Sequence, residues 1–297
     1  MILNHYMVWE NPVTTKIVMT LESRGILLPR HVSQIRYFCE LGKCADLRNP
    51  KTLNEKILWL LHNTDTYKWT ALSDKFAVRN YVSSCELGHT LPMLYGVYED
   101  ADDIDFNELP QSFVLKTNNA SCTNILVKDK STLDKSKARK QLDKWLHMPF
   151  ARTSGEHHYR NIFPRIIAEE YLVDDSGFST SLADYKVWCF NGNPHCVHVM
   201  YNRKGHNADS SLYSPSWEPM LGLKKGNNGV IPKPDCLDEM LTAAAILSKE
   251  FPQVRVDMYV VNNRVYFGEL TFTAYAGRIP FFTDEWQLAA GNAINLI

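Results

Sequence analysis

Apolar residues at helical spacing dominate the first part of the chain. The clearest segment is PKTLNEKILWLLHN, in which Thr52 and Glu55 form a capping box ahead of an apolar stripe. A second helix is predicted over SDKFAVRNYVSSCELG, with Ser73 as its N-cap and Gly88 as its C-cap. We therefore predict a mainly helical N-terminal region over residues 1–72.

Short strand-like segments separated by helical ones make up the remainder of the chain. LPMLYGVY, SFVLKTN and PRIIAEEYLV are apolar strands, and the charged segment STLDKSKARKQLDKWLHM between them is typical of an amphipathic helix. ADYKVWCF and HCVHVMYN then predict a hairpin, CLDEMLTAAAILSKEF a helix, and RVDMYVVNNRVYFGELTF a last hairpin. Two successive groups of strands and helices indicate an α+β protein with two lobes, which we place at residues 73–172 and 173–297.

Composition argues against several classes of protein. The 297 residues have a net charge of −1, so no overall positive field favours nucleic acid, and we expect no nucleic-acid partner. No apolar run is long enough for a transmembrane helix. The seven cysteines contain no C-x-x-C pair, and the N-terminus lacks the basic and apolar regions of a signal peptide. We therefore expect reduced thiols and a cytoplasmic location.

The last hairpin opposes two carboxylates. If its loop is the three residues Asn262, Asn263 and Arg264, Asp257 lies directly opposite Glu269. Like charges so placed are about 5 Å apart and destabilising. A two-residue loop would instead place Glu269 on the other face of the sheet.

Three arrangements would relieve this repulsion: a shared proton, neutralisation by Arg or Lys, or a shared divalent cation. Strand periodicity puts Arg255 and Thr271 on the same face as the two acids. Mg²⁺ held by one or two carboxylates, with phosphate and water in its other positions, suits such a patch. The alternative is a solvent-facing sheet surface with an ion pair between Arg255 and Glu269.

Two lysines interrupt apolar strands, Lys116 in FVLKTN and Lys186 in DYKVWCF. Either one alone is explained by a side chain that extends its charge from a sheet edge into water. Together with Arg255 and the paired acids, they are the groups needed to bind a nucleoside triphosphate with its metal. The loop TNNASCTN after Lys116 contains small polar residues whose backbone N–H groups suit phosphate, although it lacks glycine. No Walker A or G-x-G-x-x-G motif is present.

The ordered set of segments resembles the TupA-like branch of the ATP-grasp superfamily over about residues 50–285. The matching segments are PKTLNEKILWL, LSDKFAVRNYV, LPMLYGVYED, LPQSFVLKTNNASCTN, GEHHYRNIFPRIIAEEYL, DYKVWCFNG and RVDMYVVNNRVYFGELTF. The resemblance implies an ATP-grasp fold, in which two α+β lobes clamp ATP and Mg²⁺.

The resemblance also implies roles for individual residues. The nucleotide-binding residues would be Lys116, Thr117, Asn118, Ser121, Glu169, Glu170, Tyr171, Leu172, Lys186 and Arg203. The metal ligands would be Asp257, Glu269 and Thr271, and the catalytic residues Arg255 and Lys186. Main-chain groups around Glu170 to Leu172 would contact the adenine. Thr271 departs from the superfamily, in which asparagine is usual at that position.

The activity that the resemblance implies is an ATP-dependent, ADP-producing carboxylate–amine ligase. ATP would phosphorylate a carboxylate, and an amine would capture the acyl phosphate. Because this branch is associated with bacterial surface polysaccharides, the expected acceptor is a uronic acid of a capsule-type precursor, and the amine an amino acid or other small amine. A lipid-linked precursor would bring the protein to a membrane surface.

Three alternatives remain open at this stage. One is a kinase of the same fold that phosphorylates a sugar hydroxyl. Another is a glycosyltransferase that uses a nucleotide-sugar, in which the paired acids would hold a metal and the diphosphate. The last is a binding module without catalytic activity.

Overall fold

The strands form two separate antiparallel sheets in the computed structural model, which describes residues 17–18, 20–22, 24–174, 176–205 and 207–296. The strands are β1 (Leu94–Tyr98), β2 (Phe113–Thr117), β3 (Asn124–Val127), β4 (Ile166–Glu170), β5 (Asp184–Phe190), β6 (Asn193–Lys204), β7 (Asn207–Tyr213), β8 (Gln253–Val261) and β9 (Arg264–Thr271). The helices are α1 (Pro29–Leu41), α2 (Leu53–Asn63), α3 (Tyr67–Ser73), α4 (Val78–Ser84), α5 (Lys135–Leu146), α6 (Phe150–Ser154), α7 (Leu237–Ser248) and α8 (Asp284–Asn292). Helical structure predicted for residues 1–16 lies outside the described residues.

Each sheet buries one face against a helix. The first sheet has the strand order β1-β4-β2-β3, and its Phe113 and Ile166 pack with Leu142 of α5. The second has the order β7-β6-β5-β8-β9, and its Val187 packs with Met240 of α7. The opposite faces carry the charged strand residues described below. The α+β class predicted from the sequence is confirmed.

The N-terminal helices share a hydrophobic core with the second sheet. Leu61 of α2 and Trp69 of α3 belong to the same buried cluster as Val187. Trp69 stacks on Phe272, just beyond β9, with ring centroids 4.9 Å apart. The predicted domain boundaries at residues 72 and 172 stay predictions.

The capping box predicted for α2 is present. The Thr52 hydroxyl accepts from the Glu55 N–H at 3.3 Å, and the Glu55 carboxylate accepts from the Thr52 N–H at 2.9 Å. In the same turn, the Asn54 side chain accepts from the Ile279 N–H and donates to the Ile279 carbonyl. The first turn of α2 is therefore fixed to the segment that follows β9.

The helix predicted from Ser73 to Gly88 is wrong in its limits. Ser73 is the last residue of α3, and Gly88 begins a short 3₁₀ turn, Gly88–Thr90. The chain breaks at Asp74, whose buried carboxylate accepts from Asn118 Nδ2 at 2.9 Å. A contact with a distant loop ends the helix here, and local sequence patterns do not reveal such contacts.

The turn between β8 and β9 is one residue shorter than predicted. Val261 pairs with Arg264, so the loop is Asn262–Asn263 alone. Both asparagines have positive φ, 51° and 55°, as a two-residue hairpin turn of type I′ requires. The three-residue loop is therefore wrong, and a regular ladder from this turn would separate the two acids.

A β-bulge restores the predicted pairing of the acids. Met258 pairs with Phe267 and Asp257 pairs with Glu269, so Gly268 is the extra residue in β9. The bulge shifts the register by one residue. The facing arrangement of Asp257 and Glu269 is thus confirmed, although it arises from the bulge and not from the loop.

Gly268→Ala should destabilise the protein by about 1–3 kcal/mol, because the tightly packed bulge has no room for a methyl group. A Cβ at this position would lie 2.9 Å from the Asp257 carbonyl oxygen and 3.2 Å from Tyr259 Cε2. Urea unfolding measures the difference. Gly88→Ala is the matched control, since its nearest neighbour would be 3.4 Å away. Equal midpoints for both variants would contradict the prediction.

Candidate functional site

A row of four polar side chains crosses the second sheet. His198 of β6 pairs with Lys186 of β5, Lys186 with Asp257 of β8, and Asp257 with Glu269 of β9. Residues paired in this way point to the same face of a sheet. Their face is opposite to the one that Val187 contributes to the core beneath α7. The register thus concentrates charge on one side of the sheet.

Asp257 is the centre of a buried ion triad. Its carboxylate accepts from Arg255 Nε at 2.6 Å, from Arg255 Nη2 at 2.7 Å and from Lys186 Nζ at 2.7 Å. Asp257 is 3 % exposed and Arg255 6 %. Neutralisation by Arg and Lys, one of the three arrangements considered, therefore holds for Asp257. The solvent-facing alternative does not hold for Arg255 and Asp257, because both are buried, although its ion pair between Arg255 Nη2 and Glu269 Oε1 is present at 3.8 Å.

The triad is charged on all three members. Burial acts to raise the pKa of Asp257, but Arg255 and Lys186 outweigh it and hold the pKa below its ordinary value. Burial likewise acts to lower the pKa of Lys186, and Asp184 and Asp257 raise it overall. The Asp257 carboxylate thus offsets the cost of burying the two cations, and the two cations together offset the cost of burying the carboxylate.

His198, at the end of the row, is neutral. Burial and the nearby charges of Lys186 and Arg255 lower its pKa to about 3. Neither ring nitrogen has a hydrogen-bond partner among the described residues, and the ring packs against Phe281 and Phe282. From the sequence, His198 is an ordinary strand residue. Its place in the row follows from pairing across β5 and β6.

Glu269 is the more open of the two opposed acids. Its side chain is 34 % exposed, compared with 4 % for Asp257. The Thr271 hydroxyl donates to Glu269 Oε1 at 3.2 Å and accepts from Arg255 Nη2 at 3.1 Å. Glu269 and Thr271 therefore present oxygen atoms next to the triad.

The first sheet holds a second charged group on its polar face. Lys116 Nζ lies 2.5 Å from Glu169 Oε2, and Arg79 Nη1 lies 3.1 Å from Glu169 Oε1. The Glu169 side chain, predicted to contact nucleotide, is thus engaged by two cations. Glu170 accepts from the Met93 N–H at 3.1 Å. Tyr171 and Leu172 follow directly after the last residue of β4.

Thr117 and Asn118, predicted to bind phosphate, form the base of the loop after β2. The Thr117 hydroxyl bonds the Thr123 hydroxyl at 2.7 Å across the loop. The Asn118 side chain accepts from the Arg165 N–H at 2.7 Å and donates to Asp74. Both side chains therefore hold the loop in place.

The tip of this loop is exposed and faces the second sheet. Ser121 and Cys122 are exposed, and Cys122 has a φ of 59°. Cys122 lies within electrostatic range of Glu269, Arg203 and Lys186. The tip, including the predicted contact Ser121, is the part of the loop that is open to a ligand.

Lys75 links the two charged groups, and sequence reasoning missed it. Its Nζ donates to the Ala120 carbonyl at 2.6 Å and lies 3.9 Å from Glu269 Oε2. Burial, aided by the charge of Lys116, lowers its pKa against the opposing effect of Glu269. The signal available in the sequence was the Asp74–Lys75 pair, which was interpreted only as the first turn of the helix predicted from Ser73.

Arg203 of β6 is connected to the triad through Asp184 of β5. Its Nη2 lies 2.6 Å from Asp184 Oδ2, and Asp184 Oδ1 is 4.0 Å from Lys186 Nζ. Asp184 therefore lies between Arg203 and Lys186, which is a member of the triad.

The donor atoms suit Mg²⁺ if phosphate completes the coordination. Asp257, Glu269 and Thr271 offer the hard oxygen atoms that this ion prefers. The described residues contain no group of three or more His, Cys, Asp or Glu that would hold a metal by itself. Both Asp257 oxygens already accept hydrogen bonds. Oδ1 accepts only one of these three bonds, so about one acceptor site of the carboxylate is left for a metal.

Two antiparallel sheets, each with a helix-covered face and a charged face, define an ATP-grasp fold in this chain. The model of the TupA-like ATP-grasp family matches residues 55–295. The chain therefore belongs to the TupA-like ATP-grasp family, and the resemblance inferred from the sequence is confirmed.

Solved ATP-grasp structures show distant similarity. D-alanine–D-alanine ligase from Bacillus anthracis in complex with ATP is 15 % identical, with a TM-score of 0.39 over 68 % of this chain and 54 % of its own. N5-carboxyaminoimidazole ribonucleotide synthetase with ADP is 13 % identical, with a TM-score of 0.46 over 73 % and 50 %. L-amino acid ligase from Bacillus licheniformis is 12 % identical, with a TM-score of 0.43 over 89 % and 56 %. The chain thus spans about half the length of these proteins, and no curated protein matches it.

Asp257→Asn should lower the free energy of unfolding at neutral pH by about 3–5 kcal/mol, because it leaves two buried cations without their common partner. Since the pKa of Asp257 is depressed in the folded state, its contribution is present above pH about 4 and is lost as the pH falls below that value. Urea unfolding at several pH values measures both effects.

Asp102→Asn is the control for this substitution, because the Asp102 side chain is 88 % exposed. The unfolding midpoint of this variant should equal that of the wild-type protein. The stability of the wild-type protein should fall more steeply than that of Asp257→Asn below pH about 4. Parallel curves would show that Asp257 is not the acid-sensitive group.

Proposed function

We propose that this protein is an ATP-dependent carboxylate–amine ligase that produces ADP. The observation that carries the proposal is the presence of a group of paired cations and carboxylates on the polar face of each sheet, with Lys75 between the two groups. Lys116 belongs to the first sheet, Lys186 and Arg255 belong to the second, and Lys75 lies between them. Such a set matches the charge of a triphosphate, and family membership supports the same conclusion.

The role of these cations in the reaction is electrostatic. Lys75, Lys116 and Lys186 would bind the phosphates, and Arg255 would stabilise the negative charge that develops on the transferred phosphoryl group. Because each is already paired with a carboxylate, its position is set before the substrate binds. Mg²⁺ held by Asp257, Glu269 and Thr271 would supply further neutralisation of the phosphate oxygens. Ser121 at the loop tip and the main chain at Tyr171 and Leu172 would complete the nucleotide site.

The bond changes are those of acyl activation and capture. A carboxylate oxygen of the acceptor attacks the γ-phosphorus of ATP, the bond to the bridging oxygen breaks, and ADP leaves. The amine nitrogen then attacks the acyl carbon, inorganic phosphate departs, and the nitrogen loses one proton. Exclusion of water from the space between the sheets would protect the acyl phosphate from hydrolysis.

For the acceptor we propose a uronic acid carboxylate of a surface polysaccharide precursor, and for the amine an amino acid or another small amine. The association of the TupA-like branch with such polymers supports this choice. A nucleotide- or lipid-linked precursor and the use of ATP both suit a reaction in the cytoplasm. Arg203 forms an ion pair with Asp184, and we propose that it binds the anionic acceptor or the γ-phosphate.

A hydroxylamine trap tests the reaction type. With ATP, Mg²⁺, a panel of uronic acids and hydroxylamine in place of the amine, the enzyme should form a hydroxamate and release one ADP for each product. Arg255→Met should abolish both, whereas Arg264→Met, an exposed residue at the turn of the same hairpin, should retain them. A stable phosphate ester without hydroxamate would indicate the kinase instead.

Lys75→Met should weaken the binding of ADP about tenfold or more, because it removes a charge-assisted hydrogen bond to phosphate. Isothermal titration calorimetry with Mg²⁺ and ADP gives the dissociation constants. Lys137→Met, at an exposed position of α5, is the matched control and should bind as the wild type does. An unchanged dissociation constant for Lys75→Met would remove Lys75 from the nucleotide site.

A further inference from the structure

The segment between β7 and α7 carries two outward-facing aliphatic side chains. Leu221 is 97 % exposed and Val230 is 89 % exposed, and these are the highest values among the large hydrophobic residues that the structure describes. They belong to one segment, residues 219–234, which we call the β7–α7 loop. Two nearly fully solvated aliphatic side chains in one loop require an explanation, because a folded chain normally buries at least part of such residues.

The β7–α7 loop is basic and contains no acid. Its sequence is PMLGLKKGNNGVIPKP, and the flanking acids, Glu218 and Asp235, lie just outside it. Lys224, Lys225 and Lys233 are all exposed. The whole chain has a net charge of −1, so the positive charge of this loop is a local feature. Its charge complements an anionic surface.

The loop is held firmly along the outer edge of the second sheet. The Asn227 side chain accepts from the Leu212 N–H at 2.9 Å and donates to its carbonyl at 3.3 Å. Asn228 also bonds both backbone groups of one residue: its side-chain oxygen accepts from the Ser210 N–H at 2.9 Å, and its backbone N–H donates to the Ser210 carbonyl at 3.0 Å. The loop therefore covers the edge of β7, and its exposed side chains project from a fixed backbone.

Gly222 fixes the direction of Leu221. A Cβ at Gly222 would lie 2.4 Å from Trp286 Cδ1 and 2.8 Å from Leu212 Cδ2, so the backbone here is pressed against the core. Leu223 is buried and forms a bridge with Phe282. The chain thus buries residues 222 and 223 while Leu221 remains outside.

We propose that the β7–α7 loop docks the protein onto an anionic lipid bilayer. Leu221 and Val230 enter the interfacial region, and the three lysines pair with acidic headgroups. No helix among the described residues combines the length and the hydropathy needed to cross a bilayer. The proposal does not depend on the ligase activity.

A second copy of the chain suits the loop less well than a bilayer. A two-fold axis that passed through the loop would bring Lys224 and Lys225 of one copy close to those of the other. Repulsion between these like charges opposes such a dimer, whereas acidic headgroups neutralise them.

Vesicle flotation tests the proposal. The protein should float with vesicles of phosphatidylcholine and phosphatidylglycerol, float much less with phosphatidylcholine alone, and detach as salt is added. Leu221→Ser and Val230→Ser should each weaken binding about tenfold, the factor expected for withdrawing one aliphatic side chain. Lys224→Ser and Lys225→Ser should each weaken it about fivefold.

Controls of the same chemistry exist elsewhere on the surface. Leu126→Ser replaces an aliphatic residue of β3 that is 58 % exposed, and Lys137→Ser with Lys140→Ser removes two exposed lysines of α5. These variants should float as the wild type does, and thermal melting should show that all variants are folded. Absence of flotation, or an equal loss in the controls, would overturn the proposal. So would a concentration-dependent dimer that Leu221→Ser disrupts in sedimentation experiments without any binding to vesicles.

Discussion

The ion triad of Arg255, Asp257 and Lys186 is the interaction on which the candidate site depends. A charged group buried in a protein is costly unless it is paired and hydrogen-bonded. Here one carboxylate satisfies both cations, and it can do so only because β5 and β8 are neighbours in exact register. The register of the second sheet and the charge pairing in the site therefore depend on each other. A shift of β5 against β8 would separate Lys186 from Asp257 and leave a buried charge without its partner.

The partly buried charges of the first sheet are also paired, and the pairing lies within that sheet and α4. Glu169 pairs with both Lys116 and Arg79 without help from the second sheet, and Lys75 lies between this group and Glu269. On each sheet the cations are therefore paired with a carboxylate before any ligand binds. A highly charged ligand would exchange one set of ion pairs for another and would not encounter bare charges. This exchange reduces the cost of desolvation and keeps the side chains oriented.

Periodicity in the sequence was enough to locate the strands, the capping box of α2 and the strand lysines, because these features are local and repeat at a regular interval. Two features depend on contacts between distant residues and escaped it. Asp74 ends a helix because Asn118 bonds its carboxylate, and Lys75 enters the site as a consequence. The bulge at Gly268 interrupts the period of two without leaving a distinct residue pattern, so the correct pairing of Asp257 and Glu269 was inferred from an incorrect loop.

The bulge also determines how this hairpin can change in length. With the short turn at Asn262–Asn263, the bulge at the extra residue Gly268 keeps the acids on one face. Deleting Gly268 would remove the bulge and leave a regular ladder from the two-residue turn, in which Asp257 would still pair with Glu269. The hairpin can thus lose the bulge together with its extra residue and keep the acids face to face. A regular ladder that retained Gly268 would instead pair Asp257 with Gly268 and turn Glu269 to the other face of the sheet.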